Sequence, residues 1–182
     1  MLSRDLRMSR FVVLNALYRV HKPRVHPRFN DRDYRLPGFY HIVTNTIHRI
    51  PILGSLKADT VVPSQVGEVA DDLWRAIETH YSHVRLVEHI TMPDHTHTLI
   101  EIFRDITRGH RLFTTYQKAV PGSVPVIVRD VKSAITRISR QRGFWPKHQP
   151  IWQPSFYETV IEADRVQSLR AYIRNNPKEH SE

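Results

Sequence analysis

Residues Val84–Ile102 read VRLVEHITMPDHTHTLIEI. Two runs rich in apolar and β-branched residues flank Met92-Pro93-Asp94. A proline followed by an aspartate that can bond its own backbone is turn chemistry. The stretch therefore predicts a hairpin of strands 84–90 and 95–102, with the turn leading directly into His95. A strand alternates sides, so His95 and His97 face the same way as Leu99 and Glu101. Thr96, Thr98, Ile100 and Ile102 take the other side. One face is chemically special and the other is suited to packing.

The pattern extends outward from this hairpin. Phe39 to Thr46 is aromatic and β-branched, so it reads as a strand beginning after Gly38. Pro63-Ser64 is a helix start, and Val66, Val69, Ala70, Leu73 and Ile77 recur at helical spacing over 65–81. Residues 104–125, with Gly109, Pro121, Gly122 and Pro125, read as loop. Ile127, Val131, Ala134, Ile135 and Ile138 mark a helix from about Val126 that Gly143 ends. Pro146, Pro150 and Pro154 make 144–155 irregular. Phe156–Ile161 reads as a strand, and 163–175 as a helix stopped by Pro177, since proline disfavours helical geometry in the residue before it. Strand, helix, strand, strand, helix, strand, helix is the β-α-β-β-α-β order of a ferredoxin-like antiparallel sheet with helices on one face, plus one C-terminal helix: an α+β fold.

The whole chain has 182 residues, enough for one compact domain. Lys plus Arg is 27 against 18 for Asp plus Glu, a formal charge of +9. That excess favours a polyanionic partner, nucleic acid before an anionic membrane. Residues 1–37 concentrate Arg4, Arg7, Arg10, Arg19, Lys22, Arg24, Arg28, Arg32 and Arg35 among prolines and read as a basic arm, leaving 38–182 as the folded domain. Arg129, Lys132 and Arg137 on the 126–142 helix are further candidates for phosphate contacts. The absence of cysteine excludes disulfides, Cys-based zinc modules and thiol catalysis, and fits a reducing cytoplasm. No apolar stretch reaches the ~18 residues of a membrane span, and no secretory signal is evident.

Two constellations carry chemistry. His95 and His97 can converge on one ion. Imidazoles without thiolates suit zinc, manganese, iron, copper or nickel, and an oxygen donor with a phosphate substrate shifts the choice toward magnesium or manganese. With twelve histidines in the chain, a chance His-x-His pair is the competing explanation. Tyr172 and Asn176 are four apart on the last helix, so phenol and amide share a face. A tyrosine can be a covalent nucleophile, whereas a packing tyrosine and a C-terminal Asn cap account for the same pattern without function.

Four segments together resemble a known family. Met92-Pro93-Asp94-His95-Thr96-His97 is similar to the M-P-[ND]-H-x-H signature of HUH transposases. Tyr172-Ile173-Arg174-Asn175-Asn176-Pro177 is similar to the Y-I-x-x-N-P signature of the REP-associated tyrosine transposases, an IS200-like branch of that superfamily. Val131-Lys132-Ser133-Ala134 and Ile151-Trp152-Gln153-Pro154-Ser155-Phe156-Tyr157-Glu158 match the branch in order and spacing. The resemblance implies a metal-dependent endonuclease and strand transferase acting on single-stranded hairpin or repeat DNA in bacterial DNA transposition and recombination. It implies Tyr172 as nucleophile forming a 5′-phosphotyrosine, with His95, His97 and Asn176 holding magnesium or manganese. Thr96 departs from the usual bulky apolar residue. Thr159 and Glu162 stand where the branch often has His and Arg, and the chain stops at Glu182. Tyr157 is a rival nucleophile without an amide at i+4. A relative that binds DNA hairpins without cutting, and a metallohydrolase using activated water, are the alternative readings. Homodimer or monomer is left open.

Overall fold

The computed structural model describes residues 36–105 and 121–179. The basic arm, apart from Leu36 and Pro37, and most of the 104–125 loop fall outside them. The elements run β1 (Gly38–Asn45), β2 (Gly54–Lys57), β3 (Thr60–Pro63), α1 (Gln65–Arg75), α2 (Ile77–His80), β4 (Val84–Thr91), β5 (His95–Ile102), α3 (Val124–Gln141), β6 (Tyr157–Ile161) and α4 (Val166–Glu179). β4, β5, β1 and β6 form one sheet in that order, antiparallel throughout. This is the expected ferredoxin-like sheet, with β5 and β1 central.

Register fixes what each side of the sheet carries. β1 pairs with β5 so that Tyr40 faces Ile100, His41 faces Leu99, and Val43 faces His97. Tyr40, Ile42, Ile100 and Ile102 point to one side and form the main core with Val69, Ala70 and Trp74 of α1 and Ile127, Val128, Val131 and Ile135 of α3. Burying each such side chain contributes roughly 1.5–3 kcal/mol. The opposite side carries a smaller cluster: Leu99 of β5 with Val166 and Ile173 of α4, flanked by Phe39, Val87, Ile90, Ile161 and Leu169. α4 therefore lies on the face opposite α1 and α3. The expectation of helices on one face holds only for the two crossover helices.

Three boundaries differ from expectation. The 65–81 helix breaks at Ala76 into α1 and α2. Apolar spacing continues through Ile77, so periodicity could not reveal the break. A small hairpin, β2–β3, precedes α1. Its two-residue turn puts Ala58 and Asp59 at positive φ (44° and 61°), without the glycine that usually signals such a turn. α4 runs through Pro177 to Glu179 rather than stopping before the proline. Pro177 sits in the last turn, where its missing N–H forgoes one helical hydrogen bond, to the Ile173 carbonyl.

The α1 start shows how closely the hairpin region is fitted. Ser64 Oγ accepts from Gly67 N–H at 3.1 Å and donates to Ile52 O at 2.7 Å. A Cβ at Gly67 would run into the Leu53 carbonyl, so only glycine lets the helix approach. Leu53 N–H in turn donates to Pro93 O at 2.8 Å, tying this corner to the β4–β5 turn.

Candidate active site

β4 and β5 are joined by Met92-Pro93-Asp94, with Met92 N–H donating to His95 O at 2.8 Å. Thr46 clamps it from β1: its N–H and its hydroxyl both reach Asp94 O, each at 2.9 Å. The following strand is buried along most of its length. His95 and His97 are 4% and 7% exposed, so both rings are held in place rather than free at the surface.

Their nitrogens are sorted by what surrounds them. His95 Nδ1 lies 2.6 Å from Asp94 Oδ1. His97 Nδ1 lies 3.0 Å from His41 Nε2, with the two rings stacked 5.2 Å apart. The two remaining nitrogens, His95 Nε2 and His97 Nε2, face each other at 3.1 Å. Fixing Nδ1 by a neighbour is how a histidine is oriented to offer Nε2 to a metal. His41 was not singled out from the sequence. Its role depends on the β1–β5 register, which no local spacing shows. Burial pushes its imidazole down to about 4, so it is a neutral partner at pH 7.

Asp94 is gripped from two sides. Arg49 Nε reaches Asp94 Oδ2 at 2.8 Å and its Nη1 donates to Asn45 Oδ1 at 2.6 Å. Burial would raise the Asp94 carboxyl, but the His95 hydrogen bond, with the charges of His95 and Arg49, holds it below the ordinary value. The backbone that delivers Arg49 is strained: His48 and Arg49 both have positive φ (52° and 58°). Such residues cost about 1–3 kcal/mol each and persist where surrounding structure over-determines them.

α4 brings the tyrosine. The Tyr172 ring meets His97 edge-on, with centroids 5.8 Å apart. Tyr172 is 41% exposed, so its ring touches the buried histidine while the side chain stays open to solvent. One turn further on the same side, Asn176 is fully buried and neither its Oδ1 nor its Nδ2 has a hydrogen-bond partner. A buried amide without partners is costly and calls for a ligand. No group of three His, Cys, Asp or Glu side chains forms a metal site among the described residues. A metal held by the histidine pair would need a further donor, and a partnerless buried amide such as that of Asn176 is chemically suited to be one.

The helix is anchored by Glu88. A bulge between Leu86 and Glu88 inserts one residue into β4, so Glu88 sits opposite Leu99 on the α4 side. Arg174 Nη2 reaches Glu88 Oε2 at 2.7 Å and Arg170 Nε reaches it at 3.4 Å. These two arginines bracket Tyr172 in sequence, and sequence reasoning missed the contact because the bulge has no Gly or Pro marker. Tyr157, the rival nucleophile, is on edge strand β6 opposite Val43, one strand beyond the histidines on that face.

The three basic candidates on α3 separate. Lys132 donates to Gln153 O at 2.6 Å and to Ser155 O at 3.4 Å, and burial pulls its ammonium down to about 8. Arg137, further round α3, is exposed. Arg129 pairs with Asp130 at 2.9 Å.

The fold has counterparts among known proteins. Over 82% of this chain and 73% of the other, the structure matches that of a REP-associated tyrosine transposase bound to a REP hairpin, at TM-score 0.54 and 16% identity. The chain has that transposase's fold. It is also similar, at TM-score 0.46 and 23% identity, to a crystallised candidate transposase from Deinococcus radiodurans R1, over 79% of this chain and 94% of that one. In sequence it is 26% identical over 158 residues to an uncharacterized protein of Haemophilus influenzae strain KW20/Rd, covering 82% of this chain and 86% of that protein. No family model matches. Among the described residues, no helix is long and apolar enough to cross a membrane.

Proposed function

We propose that this protein nicks and rejoins single-stranded hairpin or repeat DNA as a tyrosine transposase, with Tyr172 as nucleophile. The observation that carries the reading is the single constellation on the α4 face. Tyr172 packs on His97, His97 Nε2 faces His95 Nε2, and the unsatisfied Asn176 amide follows one turn along the helix.

In this reading Tyr172 Oη loses its proton and attacks phosphorus. The Oη–P bond forms, the P–O3′ bond breaks, and a 5′-phosphotyrosine and a free 3′-hydroxyl result. Attack by a 3′-hydroxyl on that linkage releases the tyrosine and rejoins a strand, so no external energy source is needed. His95, His97 and Asn176 would hold a magnesium or manganese ion, which would offset charge on the phosphate oxygens. Asp94 and His41 orient the two imidazoles through Nδ1. Glu88 positions the helix that bears the nucleophile.

Labelled hairpin DNA incubated with the protein and manganese should yield a denaturation-resistant adduct. Tyr172→Phe should reduce it by at least about a thousandfold, the scale of losing a covalent nucleophile. Tyr157→Phe should leave it intact, and the reverse result would make Tyr157 the nucleophile. Hairpin binding with no adduct under either metal would identify a DNA-binding relative that does not cut.

A further inference from the structure

On the other side of the sheet from Tyr172, α3 and the irregular segment after it enclose an open groove of about 900 Å³. Lys132, Arg137 and Arg140 of α3 line it; Arg137 and Arg140, three apart, are neighbours on the helix surface, and Lys132 lies further round the helix. Lys147 also lines the groove, with Pro150 and the little of Ile151 and Trp152 that the core leaves uncovered. No carboxylate lines the groove. Among the described residues, none of the four cations is in an ion pair. Arg140 Nη2 donates to Gln149 O and Lys132 to Gln153 O, so both are held by neutral carbonyls alone. Two N–H donors in the walls, Arg140 Nε and Trp152 Nε1, are buried without an acceptor.

The groove ends at the active-site end of the sheet. Trp152 bridges to Thr46, Gln153 N–H donates to Asn45 O at 2.9 Å, and Asn45 is the register partner of His95. A polyanion lying along α3 would thus arrive at the corner that holds the histidine pair.

We infer that this groove carries the phosphodiester backbone of a single nucleic-acid strand leading to or from the scissile position. Cations without counter-ions, in an open groove that no carboxylate lines and that Pro150 and the edge of Trp152 adjoin, match the basic channel that tracks a single strand. The strand supplies the phosphates that Arg137, Arg140 and Lys147 lack. Its sugars lie against Pro150 and the small exposed edge of Trp152. The inference rests on the proposed DNA chemistry for the direction of the strand, and its test is separate from that chemistry.

The probe is a fluorescein-labelled single-stranded oligothymidylate, titrated against the full chain at several salt concentrations. Arg137 and Lys147 are exposed, so Arg137→Ala/Lys147→Ala removes charge without touching the core. Each phosphate contact on a single strand contributes about 0.7 to the slope of log K against log salt. The double variant is expected to lose about 1.4 from that slope and to bind at least tenfold more weakly at 0.15 M salt. Lys57→Ala/Arg75→Ala removes the same charge from outside the groove and is expected to keep the wild-type slope. Equal losses in the two double variants, an unchanged slope in the groove variant, or no oligonucleotide binding by the wild type would each overturn the inference. So would an identical loss on a blunt duplex. At saturating hairpin DNA, the Lys57→Ala/Arg75→Ala variant is expected to form the Tyr172 adduct as the wild type does. No adduct even in the wild type, with the groove effect intact, would overturn the nuclease reading and leave the groove standing.

Discussion

Leu99 and Ile100 are neighbours on β5, both fully buried, and they face opposite worlds. Ile100 packs with Tyr40, Ile42, Trp74 and the aliphatic rows of α1 and α3. Leu99 packs with Val166 and Ile173, and on its strand face the next side chain toward the turn is His97. The first face holds most of the buried apolar surface. The second has a small cluster and devotes the rest of its area to three histidines, a tyrosine and an unsatisfied amide. Stability and the candidate site are thus divided across a single sheet, and the helix carrying Tyr172 belongs to the weaker side.

The division can be broken most strongly at this pair. Ile100→Ala should cost about 2–5 kcal/mol in urea unfolding, as expected for a truncated core residue that leaves a cavity. Leu99→Ala should fall at the low end of that range, because α4 can settle onto the gap. Its loss in adduct formation should exceed what its stability predicts. Equal stability costs together with unchanged activity in Leu99→Ala would contradict the division.

Each face also hides one neutral histidine, which sharpens the contrast through pH. His89 lies in the main core, its Nδ1 2.8 Å from Thr98 Oγ1, and burial lowers it to about 4 despite nearby Asp71. His41, on the active-site face, is likewise lowered by burial to about 4. Between an unfolded value near 6.5 and about 4, the unfolded chain binds more protons than the folded one. Stability therefore rises with pH through that window and is lost as pH falls from 6.5 toward 4, by roughly 3 kcal/mol per histidine. Urea melts of the wild type should show that loss, and His89→Gln should remove about half of it. An unchanged pH profile in His89→Gln would mean that this ring is protonated in the native core.

His41 separates orientation from folding. His41→Ala leaves His97 Nδ1 without its partner, and losing such a support should weaken manganese binding by about 10–100-fold in calorimetry. The wild-type affinity retained in His41→Ala would show that His97 holds its orientation through packing alone.

Much of this was legible in the sequence, and the reasons for the rest are specific. The four sheet strands and the crossover helices follow from period-2 and period-3.6 patterns, which are local. The His95–His97 pair and the Tyr172–Asn176 pair could be singled out in the sequence because each lies within one element. His41, Glu88 and the Trp152 edge of the groove could not, because each acquires meaning only across elements: by the β1–β5 register, by a bulge, and by the Thr46–Trp152 bridge. The break at Ala76 and the turn at Ala58-Asp59 lacked glycine or proline to mark them.

Glu88 gives the smallest expected effect and the finest test of how the two faces communicate. Its carboxylate is mostly covered, yet Arg174 is largely exposed and Arg170 is about one-third exposed, so the ion pairs themselves contribute little to folding. Glu88→Gln should therefore shift stability by less than about 1 kcal/mol. The geometric consequence is larger than the energetic one. Glu88 holds α4 at residues on either side of Tyr172, and small displacements of a reacting group are costly to rate. Single-turnover adduct formation should slow about tenfold in Glu88→Gln, with manganese affinity changed little, since neither histidine touches Glu88. Arg174→Lys keeps the charge and should recover part of that rate relative to Arg174→Ala. A rate unaffected by both Glu88→Gln and Arg174→Ala would mean that the apolar cluster at Leu99 and Ile173 positions the tyrosine without electrostatic help.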